Sequence, residues 1–228
     1  MMQQRAASKI TFPLIWANTC CSHPLADLPG EDDVVGAAGV VRAARRKLLQ
    51  ELGINPADVP AESFTWVTRV HYAGACTAAG TAVPLWGEHE IDWILLCQPP
   101  ASVHVDPNPN EVNAVREFTQ AEMRKWIKEE GGSAAVSPWF RVMEASGLLY
   151  SWWDAVLNKK VDGVMQRSTI HRSHELEGIA TGVANVLPCM AMEASAQATR
   201  ARNEELAAVA SCAAGSSAFD VSATPLCA

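Results

Sequence analysis

What this sequence lacks narrows its possible functions first. Its 228 residues contain no run of about 18 consecutive apolar residues, so we predict no membrane-spanning helix. The opening residues, Met1 to Lys9, lack the apolar core of a secretory signal. The seven cysteines are odd in number and form no Cys-x-x-Cys pair, which indicates a reduced intracellular compartment, either cytoplasm or plastid.

A surplus of positive charge is also missing. The formal net charge is −7, which argues against a nucleic-acid partner or an anionic membrane surface. Hydrophobic residues make up 49% of the chain and charged residues 19%, so a packed core can extend over most of the length. An acidic protein can still hold a basic pocket for a small phosphorylated ligand, and we expect a monomer that binds such a molecule.

Helical and strand patterns alternate along the first two thirds of the chain. Gly53 is a helix stop after a periodic apolar segment, and alternation of apolar and polar residues marks the strands. The predicted elements are a helix over Val34 to Leu52, strands over Phe64 to Tyr72 and Glu88 to Cys97, a loop over Gly74 to Pro84, and a proline-rich connection over Pro99 to Pro109.

Two further helix starts are visible in the sequence. Thr119 and Glu122 have the spacing of a capping box, which predicts a helix to Glu130. Ser137 followed by Pro138 is typical of another helix, with proline at its first position. The apolar stripe of this helix comprises Trp139, Val142, Met143, Leu149, Trp152 and Trp153.

The two ends of the chain differ in character. Ile10, Phe12 and Trp16 are predicted core residues with no strand before them. The character of the sequence changes beyond about Asn158, and Ala180 to Ala228 is dominated by Ala, Ser, Val, Thr and Glu, with a helical pattern in a stretch such as 194–208. We therefore predict one domain over 1–157 and a poorly ordered extension over 158–228.

Two short segments carry residues suited to chemistry. The segment Asn18 to Pro24 (NTCCSHP) places a thiol beside an imidazole, and Trp86 to Asp92 (WGEHEID) places Glu88 and Glu90 on one face of a strand. Neighbouring carboxylates either raise one another's pKa or share a cation. Each segment also has a structural interpretation, a buried cysteine in the first case and a solvated strand face in the second.

Several short motifs, taken together and in order, resemble the type I isopentenyl-diphosphate isomerases. They span residues 3 to about 157. The motifs are ThrPhePro (11–13), AsnThrCysCysSerHisProLeu (18–25), ArgValHisTyr (69–72), TrpGlyGluHisGluIleAsp (86–92), an AspProAsnGlu-like region with an extra Asn-Pro (106–111), SerProTrpPhe (137–140) and TrpTrpAsp (152–154).

This resemblance implies an α/β (α+β) Nudix-like fold, a mixed central sheet flanked by helices. The Nudix hydrolase helix ends in Arg-Glu-apolar-x-Glu-Glu-x-Gly-apolar, and the matching stretch here is 46–54. Lys47 and Gln50 replace two of its glutamates. That departure counts against a diphosphate hydrolase and for the isomerase branch.

The resemblance also implies a mechanism and a set of site residues. The family moves a double bond between isopentenyl and dimethylallyl diphosphate with an acid/base pair, which matches Cys21 and Glu90. The implied metal ligands are His23, Glu51, Glu88 and Glu90, for Mg²⁺ with Mn²⁺ or Zn²⁺ as alternatives. The implied substrate contacts are Arg5, Lys9, Ser22, Lys47, Tyr72 and Trp139, with Trp139 facing the cation.

One departure concerns the start of the chain. The family places two further histidine ligands and a lysine upstream of the arginine that matches Arg5, where this sequence has four residues. We therefore expect N-terminal strands of the central sheet to be missing and the metal site to be weaker. An inactive Nudix-like module that acts by binding is the alternative to the isomerase, and a Nudix hydrolase is a third.

Overall fold

The computed structural model describes residues 1–76, 86–129, 135–172 and 226–227, in which helices and strands form an α/β fold. The strands are β1 (Met2–Arg5), β2 (Trp16–Asn18), β3 (Phe64–Cys76), β4 (Trp86–Cys97), β5 (Val112–Arg116), β6 (Ile170–Arg172) and β7 (Leu226–Cys227). The helices are α1 (Ala38–Leu52), α2 (Gln120–Glu129), α3 (Pro138–Ala145) and α4 (Leu148–Leu157), and short 3-10 turns cover Val35–Ala37, Ala61–Ser63 and Val161–Val164.

The described strands form two sheets. The larger has the order β6-β3-β4-β7, with β3 antiparallel to β4 and parallel to β6, so it is mixed as predicted. The smaller has the order β2-β1-β5 and is antiparallel throughout. The predicted α/β class is confirmed, although the strands divide between two sheets.

The first strand corrects the sequence prediction for the start of the chain. β1 lies at the centre of the smaller sheet, so the expectation of no strand before Ile10 is wrong. Gln3 and Gln4 are buried within β1 and break the apolar alternation by which a strand is identified. Ile10 is 69% exposed and does not join the core, whereas Phe12 is buried as predicted.

The core consists of two hydrophobic clusters separated by the larger sheet. Alternation along β4 sends Ile94 and Leu96 into one cluster and Leu95 and Cys97 into the other. The first cluster includes the buried aromatic residues of α3 and α4, and the second includes Leu48 and Leu52 of α1. Helices therefore cover both sides of the sheet, as the predicted fold requires.

The C-terminus of α1 is closed by a distant segment. Gly53 ends the helix with φ +64°, which confirms the predicted stop, and a Cβ there would lie 2.7 Å from the Asp106 carbonyl oxygen. The amides of Asp106 and Asn108 donate to the carbonyls of Leu52 (2.8 Å) and Glu51 (2.9 Å). The predicted proline-rich connection thus supplies partners for the last carbonyls of α1.

The predicted caps are present, and the element boundaries shift. Thr119 and Glu122 exchange the reciprocal bonds of a capping box, and Ser137 accepts the amide of Phe140 at the start of α3. The single predicted helix after Ser137 is two helices, because Gly147 is left-handed with φ +75°. Helix α1 begins at Ala38 rather than Val34, and β3 continues to Cys76, so its end had been mistaken for loop.

Several predictions fall on residues outside the described ranges. These are the loop residues 77–84, the helix end at Glu130, and 173–225 and 228 of the C-terminal extension. The first part of the predicted extension is described, and in it β6 pairs with β3. The division of the chain at 157 stays a prediction.

Candidate active site

A cavity of about 840 Å³ brings together the residues predicted for the site. Every one of them lines it: Arg5, Lys9, Cys21, Ser22, His23, Lys47, Glu51, Tyr72, Glu88, Glu90 and Trp139. They come from β1 and the turn after it, the segment after β2, α1, the β3–β4 hairpin and α3. The fold places these elements around one cavity.

The Cys21 thiol sits in a network of neutral hydrogen bonds. Its sulfur lies 3.2 Å from the side-chain oxygen of Asn18, which also accepts the indole N–H of Trp139 at 2.7 Å. Burial, reinforced by the nearby Asp92 carboxylate, raises the pKa of Cys21. Cys21 is therefore held as a neutral thiol near neutral pH. The adjacent Cys20 is buried and packs in the α1 cluster, as predicted.

The carboxylates of Glu88 and Glu90 on β4 also line this cavity, and their hydrogen-bond partners are Tyr72 and His23. Tyr72 lies opposite Glu90 in the hairpin, and its hydroxyl donates to Glu88 at 2.7 Å and lies 3.2 Å from Glu90. His23 Nε2 lies 3.1 Å from a Glu90 carboxylate oxygen, and this hydrogen bond lowers the pKa of Glu90 and raises that of His23. Glu90 is therefore a carboxylate at neutral pH.

Asp92 is the third carboxylate on this strand face. Burial and the charges of Glu90 and Glu88 raise the pKa of Asp92 to about 7. Burial is the larger cause, and the repulsion from the two glutamates adds to it, with His23 opposing them. Asp92 was detectable from the strand pattern, because it continues the alternation of Glu88 and Glu90 along β4.

Cationic side chains approach the cavity from β1, from the turn that follows it and from α1. Lys9 pairs with Glu111, and Lys47 Nζ lies 3.0 Å from Glu51. The Arg5 guanidinium lies 6.0 Å from the centre of the Trp139 ring. These positive groups give the cavity a region suited to an anion within an acidic protein.

Glu51 is more enclosed than its predicted role requires. Its side chain is buried, with Gln3 donating to one carboxylate oxygen at 2.7 Å and Lys47 pairing with the other. Both oxygens are thus occupied by protein partners. Binding of a cation by Glu51 would require Lys47 or Gln3 to move.

An ion pair missed by the sequence reasoning fixes the segment that carries Ser22 and His23. Arg46 on α1 makes a two-point contact with Glu31, at 2.6 and 2.9 Å, and also donates to the carbonyl of His23 at 3.1 Å. Glu31 in turn accepts the amide of Leu25 at 3.0 Å. Because the guanidinium matches a carboxylate geometrically, this contact holds the segment against α1.

The fit of a metal ion can be judged from the donors alone. Within the ranges that the structure describes, no three His, Cys, Asp or Glu side chains converge tightly enough to hold an ion. The donor chemistry does suit a divalent cation, because His23 contacts Glu90, and the Tyr72 hydroxyl joins Glu90 to Glu88 on the strand face that also carries Asp92. Side-chain rotation would be needed to bring His23, Glu88 and Glu90 to one ion.

Comparison with known proteins gives a consistent result. The chain is 43% identical over 160 residues to an isopentenyl-diphosphate delta-isomerase of Phaffia rhodozyma, covering 70% of this chain and 59% of that one. It is 41% identical over 175 residues to isopentenyl-diphosphate Delta-isomerase 1 of Bos taurus, covering 75% and 71%. A Schizosaccharomyces pombe isopentenyl-diphosphate delta-isomerase is 41% identical over 159 residues, covering 68% and 64%.

The chain spans about 60% of the length of most of these relatives, as for the Phaffia protein at 59%. No protein-family model matches it. The structure describes no helix long and apolar enough to cross a membrane. The identity to the bovine protein, over 71% of that protein's length, shows that this chain belongs to the isopentenyl-diphosphate delta-isomerase family.

Proposed function

We propose that this protein interconverts isopentenyl and dimethylallyl diphosphate. The observation that carries the proposal is one cavity lined by the Cys21 thiol and the Glu90 carboxylate, which favour opposite protonation states. An alkene isomerisation needs a group that gives a proton and another that takes one. The names of the relatives support the same reaction.

The proton transfers balance within the enzyme. A thiol proton is added to the terminal methylene carbon of isopentenyl diphosphate, which leaves a tertiary carbocation and a thiolate. Glu90 then removes a proton from the chain methylene on the other side of the cationic carbon. The double bond forms between that methylene carbon and the former cationic carbon. The proton must pass from Glu90 back to Cys21 before the next turnover, and the reverse reaction exchanges the two roles.

The aromatic residues suit the charged intermediate. Trp139 and Tyr72 are buried, and their ring centres lie 5.3 Å apart. An indole face attracts a cation while excluding water that would trap it. We assign Trp139 to the cation and the Tyr72 hydroxyl to the orientation of Glu88 and Glu90.

The substrate's diphosphate would bind at the cationic part of the cavity. Arg5, Lys9, Lys47 and Ser22 provide the donors there. Lys9 and Lys47 are paired with Glu111 and Glu51 in the ligand-free protein, so a diphosphate would compete with those carboxylates. Binding by this group orients the five-carbon chain between Cys21 and Glu90.

We propose that His23, Glu88 and Glu90 would hold a divalent cation, Mg²⁺ with Mn²⁺ or Zn²⁺ as alternatives, and that Glu51 would contribute to binding a Mg²⁺ that accompanies the diphosphate. Such an ion supplies positive charge that strengthens an acid beside it. The chain's own residues bind the substrate and transfer the protons.

The proposal is tested by following both diphosphates by proton NMR with the 228-residue chain and Mg²⁺ or Mn²⁺. We expect conversion in both directions, and its loss in Cys21→Ala. The matched control is Cys20→Ala, which removes the adjacent thiol from the α1 cluster and should retain turnover. No conversion by the wild-type chain would contradict the proposal and favour a binding module, and release of phosphate would favour a hydrolase.

The α1 contacts argue against the hydrolase. Glu51 is the one acidic residue of α1, and it is paired with Lys47, which stands where the hydrolase pattern has a glutamate.

We also propose that the protein acts as a monomer in the cytoplasm or in a plastid. The Cannabis sativa and Arabidopsis thaliana relatives are named chloroplastic, which supports the second compartment. Imaging of a tagged chain and light scattering test these two points.

A further inference from the structure

Asn18 lies between two of the groups assigned to the reaction without having a role of its own. It is the last residue of β2 and is 4% exposed. Its side-chain oxygen accepts the Trp139 indole N–H at 2.7 Å and lies 3.2 Å from the Cys21 sulfur. Its side-chain nitrogen donates to the carbonyl of Cys20 at 2.7 Å.

The orientation of this amide is determined by partners other than the thiol. An indole N–H can only donate, and a backbone carbonyl can only accept. The Asn18 oxygen must therefore face Trp139, and its nitrogen must face Cys20. The atom beside Cys21 is then an acceptor, so the thiol can meet it only as a donor.

We infer that Asn18 is a positioning residue that holds the Cys21 thiol and the Trp139 ring in fixed relation to one another. The inference rests on the proposed function for the meaning of those two groups. A cysteine side chain has one heavy-atom rotor, and the hydrogen bond to Asn18 selects one of its rotamers. The same oxygen fixes an aromatic ring from a helix 121 residues away in sequence.

This arrangement acts on the rate of reaction rather than on binding of the substrate. The amide is already committed to Trp139, Cys20 and Cys21, while the diphosphate contacts lie on other residues. Losing Asn18 would leave the acid and the aromatic face in the cavity but free to move independently. Misplacement of a reacting group by about 1 Å can cost 10²-fold in rate.

The test compares Asn18→Ala with Thr19→Val. Thr19 is its neighbour, is 0% exposed, and donates a buried hydrogen bond to the Met1 carbonyl at 2.8 Å. Thr19→Val loses one buried hydrogen bond beside the same segment, whereas Asn18→Ala loses the contacts with Cys20, Cys21 and Trp139. We expect kcat to fall roughly 10- to 100-fold in Asn18→Ala with KM within about twofold, and Thr19→Val to keep the wild-type kcat.

A second measurement does not depend on turnover. The rate at which iodoacetamide alkylates Cys21 at one fixed pH is followed by mass spectrometry of the peptide that contains it. We expect a several-fold faster rate in Asn18→Ala, because the sulfur is released from its acceptor, and an unchanged rate in Thr19→Val. A double-mutant cycle with Trp139→Phe should show that the two losses in kcat are not additive.

The outcomes separate the two proposals. If the wild-type chain does not convert substrate, the proposed function fails, and the alkylation rates alone decide the role of Asn18. Equal alkylation in Asn18→Ala and wild type overturns the positioning role. So does a kcat within twofold of wild type in Asn18→Ala, or an equal loss of kcat in Thr19→Val.

Discussion

The two walls of the cavity differ in how their polar groups are paired. In the thiol wall, formed by residues 17–23 and α1, Asn18 contacts Cys21, Arg46 pairs with Glu31, and Lys47 pairs with Glu51. In the carboxylate wall, formed by the cavity face of β3 and β4, Glu88 and Glu90 contact the Tyr72 hydroxyl, and Asp92 follows them on the same face of β4.

The difference indicates which wall is complete without a ligand. Each polar group named in the thiol wall has a neutral or oppositely charged partner, so this wall is organised before substrate binds. The carboxylate wall carries like charges at close range, and their mutual repulsion lowers the stability of the fold. The proposed cation would relieve this repulsion, so one wall stabilises the fold and the other depends on a partner for its charge.

The largest effect expected is on the carboxylate wall. Glu90→Gln removes the proton acceptor but keeps the shape of the side chain, so kcat should fall about 10²- to 10⁴-fold. His89→Gln is the control, because His89 is the next residue of β4, does not line the cavity, and meets His71 instead, 2.8 Å between their Nε2 atoms. Steady-state kinetics decide the result, and a Glu90→Gln variant within tenfold of wild type would remove Glu90 from the reaction.

A cation should stabilise the carboxylate wall and leave the thiol wall unchanged. At 100 times its dissociation constant, a bound ion adds about 2.7 kcal/mol to the free energy of unfolding. Thermal denaturation with Mg²⁺ or Mn²⁺, against the same buffer with EDTA, should therefore show a higher Tm. The increase should disappear in Glu88→Gln and persist in Glu31→Gln. An equal increase in all three proteins would contradict a site at Glu88.

Breaking the thiol wall should cost stability in a pH-dependent way. Glu31→Gln loses the charged contact with Arg46, which should lower the free energy of unfolding by about 1.5–3 kcal/mol at pH 7. The Arg46 hydrogen bond holds the pKa of Glu31 below its ordinary value of 4.5. The contribution of Glu31 is therefore complete above pH 4.5 and is lost as the pH falls through the lowered pKa.

Urea denaturation of wild type and Glu31→Gln at several pH values measures this effect. The difference in unfolding free energy between the two proteins should be constant above about pH 5.5, roughly one unit above the ordinary carboxyl pKa. It should shrink as the pH falls further. The exposed Glu62→Gln serves as the control and should match wild type throughout. A gap that widens on acidification would reverse the sign and reject the ion pair as its cause.

The smallest effect expected is a gain in stability. Asp92→Asn removes one of three neighbouring carboxylates, so the metal-free protein at pH 8 should be stabilised by roughly 1 kcal/mol. Urea denaturation in EDTA measures it, and Asp162→Asn, on an exposed 3-10 turn, should show no change. A loss of stability in Asp92→Asn would show that the carboxylate wall is not strained by its own charge.

The sequence predicted the carboxylate wall better than the thiol wall. Alternation along a strand is a local property, so Glu88 and Glu90 could be placed on one face without a structure. The role of Asn18 depends on Trp139, which is distant in sequence, and an asparagine before Thr-Cys-Cys has the same local pattern as a turn residue. Likewise, Glu31 and Arg46 are 15 residues apart, and their contact exists only in the folded chain.

The same distinction explains the errors in the fold. Gly53 and the Thr119 capping box were predicted because their chemistry is contained within a few residues. The strand at Met2–Arg5 was missed because its buried glutamines bond to Glu51 and to the Leu14 carbonyl, contacts that exist only after folding. Ile10 was misplaced because hydrophobicity alone does not say which side of a turn faces solvent.

The closure of α1 by Asp106 and Asn108 also gives a way to observe the cavity in solution. Their amide hydrogens bond to the carbonyls of Leu52 and Glu51, so both exchange with solvent only when this junction opens. The same opening displaces the backbone that carries Glu51. Hydrogen–deuterium exchange at these two amides therefore measures how often one wall of the cavity opens.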